Sequence, residues 1–473
     1  MGDSTVLDDP GQAVEGVTVR QSAAVLGGVG GCLLLVVWAS PGYLGPVSPY
    51  VQGPWTSGAG EVDLAAWSVT ALVTGAALWV PRWWPHLLVM AGALTVMLCS
   101  DVVGAAHTRV VTTLSGAAFA LSLVAVLQCA QGLARSRPGW AAVVAGSAIG
   151  ARLLGAALTG ATWLVLPGNL RAWHLSLALL GLGMVLAAAW WLRSGDPSAA
   201  DPPAGDGTRG RSWPRARPVI AVMVALAAAV AVSYLTGRRL AGLLGVSVES
   251  LARHPAAQTA VVGAVTVAVA VVAAAVAGLW MLGGALTAAT VQVAVAAPLL
   301  LAVAALALQG PARLLGALAG LALGLLAAAT RWRMALAGGL AVAAAVVVFI
   351  AYGATGGHPE KLAAQQSVIP GSIIMVLVVA TATCVVGATA PQLSRRGLLP
   401  AASGPLAAVL AVGGLQTVNI TYLHDGLTES SYLSPATHLT SSAVLFLVAG
   451  AAVGVFGFAQ QMASTRGERR SPS

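Results

Sequence analysis

The sequence predicts an all-α, polytopic membrane protein of about fourteen transmembrane helices. Three observations predict it. Of 473 residues, 58% are hydrophobic and 8% charged, where a soluble domain carries about a quarter charged residues. The apolar residues fall in runs of roughly 20, the length a helix needs to cross a hydrocarbon core of about 30 Å. The runs lack the alternation of a transmembrane strand, so the backbone must satisfy itself as helix.

The runs can be taken in order. Six come first, at 22–40, 63–80, 86–106, 110–132, 139–166 and 172–192. A stretch rich in Pro, Gly and charge comes next, SGDPSAADPPAGDGTRGRSWPRAR, whose composition is that of a flexible linker. Eight more runs lie at 218–236, 256–280, 284–309, 312–330, 334–353, 370–390, 401–419 and 438–461. The organisation expected is a disordered leader (1–21), a six-helix bundle (22–192), a cytoplasmic linker (193–217), two extra helices (218–280), a second six-helix bundle (281–461) and a tail (462–473).

Charge sets the orientation. With the N-terminus inside, sixteen of the 24 Lys and Arg residues fall in cytoplasmic segments, seven outside and Arg152 within a span. That bias places both termini in the cytoplasm of a cell-membrane protein. Trp79, Trp83, Trp84, Trp190, Trp191 and Trp332 gather at the same helix ends, as an interfacial aromatic belt does. The net charge of +9 is thus topological. Its scatter over short loops, with no basic stripe, excludes nucleic acid as a partner. The four cysteines lie in apolar runs without metal spacing, and the seven histidines are scattered. No metal or other cofactor is expected, and the N-terminus lacks the short basic region and small-residue cleavage site of a signal peptide.

Two ionisable residues lie deep in the membrane. Asp101 is 15 residues beyond His86, and Arg152 is 13 beyond Gly139. At about 1.5 Å per residue both sit roughly 20 Å from the cytoplasmic ends of their helices. A charge at the bilayer centre costs about 2.5–3.5 kcal/mol, so each should face protein or a water-filled cavity. Three roles stand open for Arg152: a structural pair with Asp101 or with backbone carbonyls, a cation facing an anionic or polar cargo group, or a snorkelling side chain. For Asp101 the alternatives are structural pairing and proton carriage.

Small residues mark further positions. Gly146 and Gly150, and the series Gly316, Gly320 and Gly324, have the small-xxx-small spacing that brings helices close. Gln292, shortly before Pro298, marks a polar point in the ninth span, where a proline bends a helix.

Six helices, a basic linker and eight more resemble the layout of the fourteen-helix drug/proton antiporter branch of the major facilitator superfamily, read as six plus two plus six. DLAAWSVTALVTGAAL (63–78) is similar to the opening of that family's second helix. TTLSGAAFAL (112–121) resembles the fourth-helix motif R-x-x-Q-G-x-x-A, with Gly116 retained, Thr112 in place of arginine, Ser115 of glutamine and Phe119 of alanine. GSAIGARLLG (146–155) resembles the fifth-helix motif G-x-x-x-G-P-x-x-G-G; Gly146, Gly150 and Gly155 match, Ala151 replaces proline, and Arg152 takes a variable position. NLRAWHLSLALLGL (169–182) is similar to the segment opening the sixth helix, and GLLAAATRWR (324–333) to the C-terminal copy of G-x-L-a-D-R-x-G-R-R without its Asp-Arg pair. In the first helix Ser40 stands near the expected acid.

The resemblance implies a transporter, not an enzyme, exporting a hydrophobic or amphipathic small molecule across the bilayer by alternating access. The transport or gating candidates are Arg152, Asp101, Ser40, Thr112, Gly146, Gly150, Gly155 and Gln292. The family's usual proton-coupling residues are largely replaced. Two rival functions remain: a polytopic glycosyltransferase using Glu61 or Asp63 as base, and a non-transporting relative of the transporter family.

Overall fold

The computed structural model describes residues 10–38, 69–70, 72–78, 83–100, 108–134, 136–165, 170–194, 310–354, 368–395, 399–400, 455, 459 and 462. Among these lie eight long helices. They are α1 (Pro10–Trp38), α2 (Trp84–Cys99), α3 (Thr108–Leu133), α4 (Pro138–Val165), α5 (Leu170–Ser194), α6 (Gly310–Ala329), α7 (Arg333–Ala354) and α8 (Val368–Arg395). Residues 69–70 and 72–78 are helical as well. Five stretches of the described residues are long and apolar enough to cross a membrane: Val19–Val37, Thr113–Leu133, Ala172–Ser194, Arg333–Ile350 and Gly371–Pro391. The chain is an all-α polytopic membrane protein.

The helix ends follow local chemistry. Pro10, Pro85 and Pro138 each fall in the first turn of a helix, where proline loses no hydrogen bond and its fixed φ suits the helix. α1 starts at Pro10, inside the segment expected as a disordered leader, and no proline interrupts the chain between Pro10 and the apolar run. α8 runs to Arg395, through Pro391, a turn beyond the predicted end at 390. The linker beyond Ser194, spans seven to nine, spans thirteen and fourteen apart from residues 455 and 459, and the six-plus-two-plus-six division lie outside the described residues.

α1 is the axis of the first group, touching α2, α3, α4 and α5. Its GGVGG stretch makes this possible by offering bare backbone on several sides. A Cβ on Gly28 would lie 2.9 Å from Val144 of α4, and one on Gly30 would lie 2.8 Å from the carbonyl oxygen of Gly181 in α5. Gly31 meets Val126 of α3 in the same way. Without side chains at these points the helices approach to backbone contact, the device by which apolar helices gain packing energy in lipid.

α4 joins the first group to the second. It packs on α3 and α1 on one side and on α6 and α8 on the other. α6 and α8 lie against one another, and α7 covers α8. One continuous cluster of buried residues runs through both groups, including Leu35, Leu123, Leu127, Ile149, Met375 and Val379.

Candidate functional site

The seam between the groups is built from glycine. A Cβ on Gly146 would lie 2.8 Å from the carbonyl oxygen of Thr383, and one on Gly150 would lie 2.9 Å from Thr383 Oγ1 and collide with Leu321. Opposite, Cβ atoms on Gly320 and Gly324 of α6 would each lie 2.6 Å from a carbonyl oxygen of α8, Val376 and Ala380 respectively. Gly387 returns the contact from α8, 2.8 Å from the carbonyl oxygen of Ala142 in α4. Both glycine series are packing surfaces against one helix, α8. Thr383 is fully buried there, and its Oγ1 has no hydrogen-bond partner. By contrast Thr381 and Thr389 donate back to Leu377 and Val385 in the preceding turn.

Arg152 faces the other way. It lies two residues past Gly150, roughly 200° around the helix at 3.6 residues per turn, so it turns from the seam toward α3. Its guanidinium carbon lies 5.2 Å from the centroid of the Phe119 ring, and the side chain is only 6% exposed. Depth explains the meeting. α3 and α4 are antiparallel neighbours; Phe119 lies 14 residues before Leu133, and Arg152 lies 14 after Pro138. Both are therefore about 21 Å from the linked ends of their helices. A cation over an aromatic face is attracted by the ring quadrupole, more strongly where water is absent.

The remaining candidates divide plainly. Gly155 is buried in α4. Thr112 lies in the first turns of α3, its side chain outside the described residues. Asp101, Ser40 and Gln292 also lie outside them, as do Glu61 and Asp63. The structure brings together Arg152 with Phe119, and Gly146 and Gly150 with Thr383. The four cysteines are free thiols.

Two polar residues absent from the sequence-derived candidates prove central. Gln128 and Gln131, three apart on α3, occupy one helix face and each meets a backbone carbonyl of another helix. Gln128 Nε2 donates to the carbonyl of Ala77 at 3.1 Å. Four residues on, Pro81 has no N–H to offer that carbonyl. Gln131 Nε2 donates at 2.9 Å to the carbonyl of Ser394, one of the last in α8, and Gln131 Oε1 accepts the N–H of Leu399 at 3.4 Å. The terminal carbonyls of a helix have no partner within it. The available signal was the pair of amides in VLQCAQGL, polar residues inside an otherwise apolar run.

No family model matches the sequence, and no curated protein matches it significantly. Among solved structures the chain is similar to the crystal structure of a double-tryptophan mutant of XylE, with 12% identity and a TM-score of 0.45 over 93% of this chain and 94% of that one.

Proposed function

We propose that the chain is a membrane transporter that moves a hydrophobic or amphipathic small molecule by alternating access, in the export direction. The observation that carries the reading is the seam: two groups of helices meet along glycine-lined backbone at α4, α6 and α8. A boundary with few side chains to disengage suits groups that rock against one another around a site between them. The ordered resemblance of its segments to the drug/proton antiporters supports the same reading.

Reconstitution tests it. Purified full-length protein in liposomes should move ethidium or carboxyfluorescein faster than protein-free vesicles do, and the absence of flux for both dyes overturns the reading. A pH gradient across the same vesicles addresses coupling. Flux indifferent to the gradient in both the native chain and Asp101→Asn would sink proton antiport.

A further inference from the structure

We propose that the corner where α4, α6, α7 and α8 meet at the membrane surface holds the phosphate headgroup of an anionic phospholipid. Packing sets the level of this corner. A Cβ on Gly387 of α8 would lie 2.7 Å from the Cβ of Ala328 in α6 and 2.8 Å from the carbonyl oxygen of Ala142 in α4, so the three helices touch at one depth. Arg331 follows Ala328 by three residues, and Arg137 precedes Ala142 by five. At about 1.5 Å per residue the two lie roughly 5 and 8 Å beyond the contact, on the same side of it. Arg333, the first residue of α7, is tied to the same place by Cys384, whose thiol donates to its carbonyl at 3.5 Å. Met334 and Ala337 share a buried cluster with Cys384, Val385 and Ala388 of α8.

Backbone bonds fix the segments that carry the arginines. Thr330 donates through its N–H and its Oγ1 to the carbonyl of Ala327, at 3.2 and 2.8 Å, in the turn from α6 into α7. The Arg137 N–H donates to the carbonyl of Leu133 at 2.8 Å, and the Arg137 carbonyl accepts from Ala141 at 3.1 Å. Arg137 and Arg331 are exposed and Arg333 is half-buried. Two indoles stand with them. Trp332, 55% exposed, has the Arg331 guanidinium 5.5 Å from its ring centroid, and Trp140, 46% exposed, lies two residues before Ala142. The stretches 128–146, 320–340 and 380–400 contain six arginines and neither Asp nor Glu, so they carry charge of one sign.

The chemistry selects the occupant. A guanidinium presents a fork of N–H donors that fits phosphate oxygens two at a time. Tryptophan settles at the headgroup level of a bilayer, and basic groups between helices at that level attract anionic headgroups. Orientation by the positive-inside rule requires arginines on one side of the membrane. It does not require separate chain segments to deliver them to one corner beside exposed indoles. On the charge-derived orientation the lipid belongs to the cytoplasmic leaflet. Lipid capture here does not depend on transport.

Native mass spectrometry of the full-length protein, released from neutral detergent micelles, tests the site. Phosphatidylglycerol should bind about tenfold more tightly, or better, than phosphatidylcholine with the same acyl chains. A basic residue near an anionic surface contributes about fivefold, so Arg331→Gln/Arg333→Gln should cut that preference more than tenfold. Arg20→Gln/Arg193→Gln removes the same charge from α1 and α5 and should leave the preference unchanged. Arg331→Gln alone, in an exposed turn, should cost about fivefold, and no loss there overturns the site even if the pair fails to fold. Equal affinity of the native chain for the two lipids overturns it as well. So does an equal loss in the two glutamine pairs, which would mean that charge acts wherever it stands. Displacement of phosphatidylglycerol by excess inorganic phosphate would mean that the corner binds soluble anions, and overturns the lipid as its occupant.

Discussion

The guanidinium of Arg152 lies over the ring of Phe119, 5.2 Å from its centroid, with both side chains buried between α3 and α4. Phe119 stands where the fourth-helix motif has alanine, and Arg152 fills a variable position of the fifth-helix motif. The two meet at the same depth. A desolvated cation–π contact is worth about 2 kcal/mol, comparable to the cost of about 2.5–3.5 kcal/mol for an arginine deep in a bilayer helix.

That contact predicts a specific energetic coupling. Phe119→Leu keeps an apolar side chain of similar bulk but removes the ring face, and should destabilise the native chain by about 2 kcal/mol beyond any packing loss. In an Arg152→Leu background the same change should cost only the packing loss, so a double-mutant cycle should return about 1–2 kcal/mol of coupling. Unfolding in mixed micelles titrated with denaturing detergent measures all four proteins. Additive effects would show that ring and cation do not interact.

Much of this architecture was legible in the sequence, and its limits are instructive. Span length and hydropathy placed α3 through α7 within about two residues of their ends, because a bilayer sets helix length directly. The spacing of Gly146, Gly150, Gly316, Gly320 and Gly324 announced close packing. The identity of the neighbour, α8, was not readable, since spacing shows that a face is bare and not what covers it. Arg152 stood out by its depth. A carboxylate partner for it points to Asp101, whereas a ring face carries no formal charge and leaves no mark on a charge map. Gln128 and Gln131 escape notice for the same reason: an amide is polar without being ionisable.

The seam glycines should divide by what their Cβ would strike. Gly320→Ala and Gly324→Ala each press on an α8 carbonyl oxygen at 2.6 Å, which moves only with its helix. Each should destabilise by about 1–3 kcal/mol. At Gly150 the collision is partly with the flexible end of Leu321, so alanine should be milder there. Gly132, Gly183 and Gly339 have nothing within 4 Å. Alanine at these positions should be neutral or stabilise by roughly 0.5–1 kcal/mol through helix propensity. Equal effects at seam and open positions would refute the packing account.

Thr383 offers the opposite sign. Its hydroxyl is fully buried in the seam and has no hydrogen-bond partner, so the native state carries the cost of its desolvation. Thr383→Val removes that group while keeping the branched shape, and should raise stability by about 1 kcal/mol. The same denaturing-detergent titration reads it. A loss of stability would mean that the hydroxyl finds an acceptor in the membrane.

Gln128 closes the set, because its role depends on one residue outside its own helix. Position 81 is proline and has no N–H to offer the carbonyl of Ala77, and Gln128 Nε2 donates to that carbonyl at 3.1 Å. Its other atom, Oε1, is buried without a partner. Gln128→Leu therefore loses one bond and also relieves one unpaired acceptor, so the net cost should be at most about 1 kcal/mol. Pro81→Ala provides an N–H four residues after Ala77. In that background Gln128→Leu should be neutral or stabilising, since the carbonyl no longer depends on the amide. An undiminished cost there would mean that Gln128 acts by packing and not by capping the freed carbonyl.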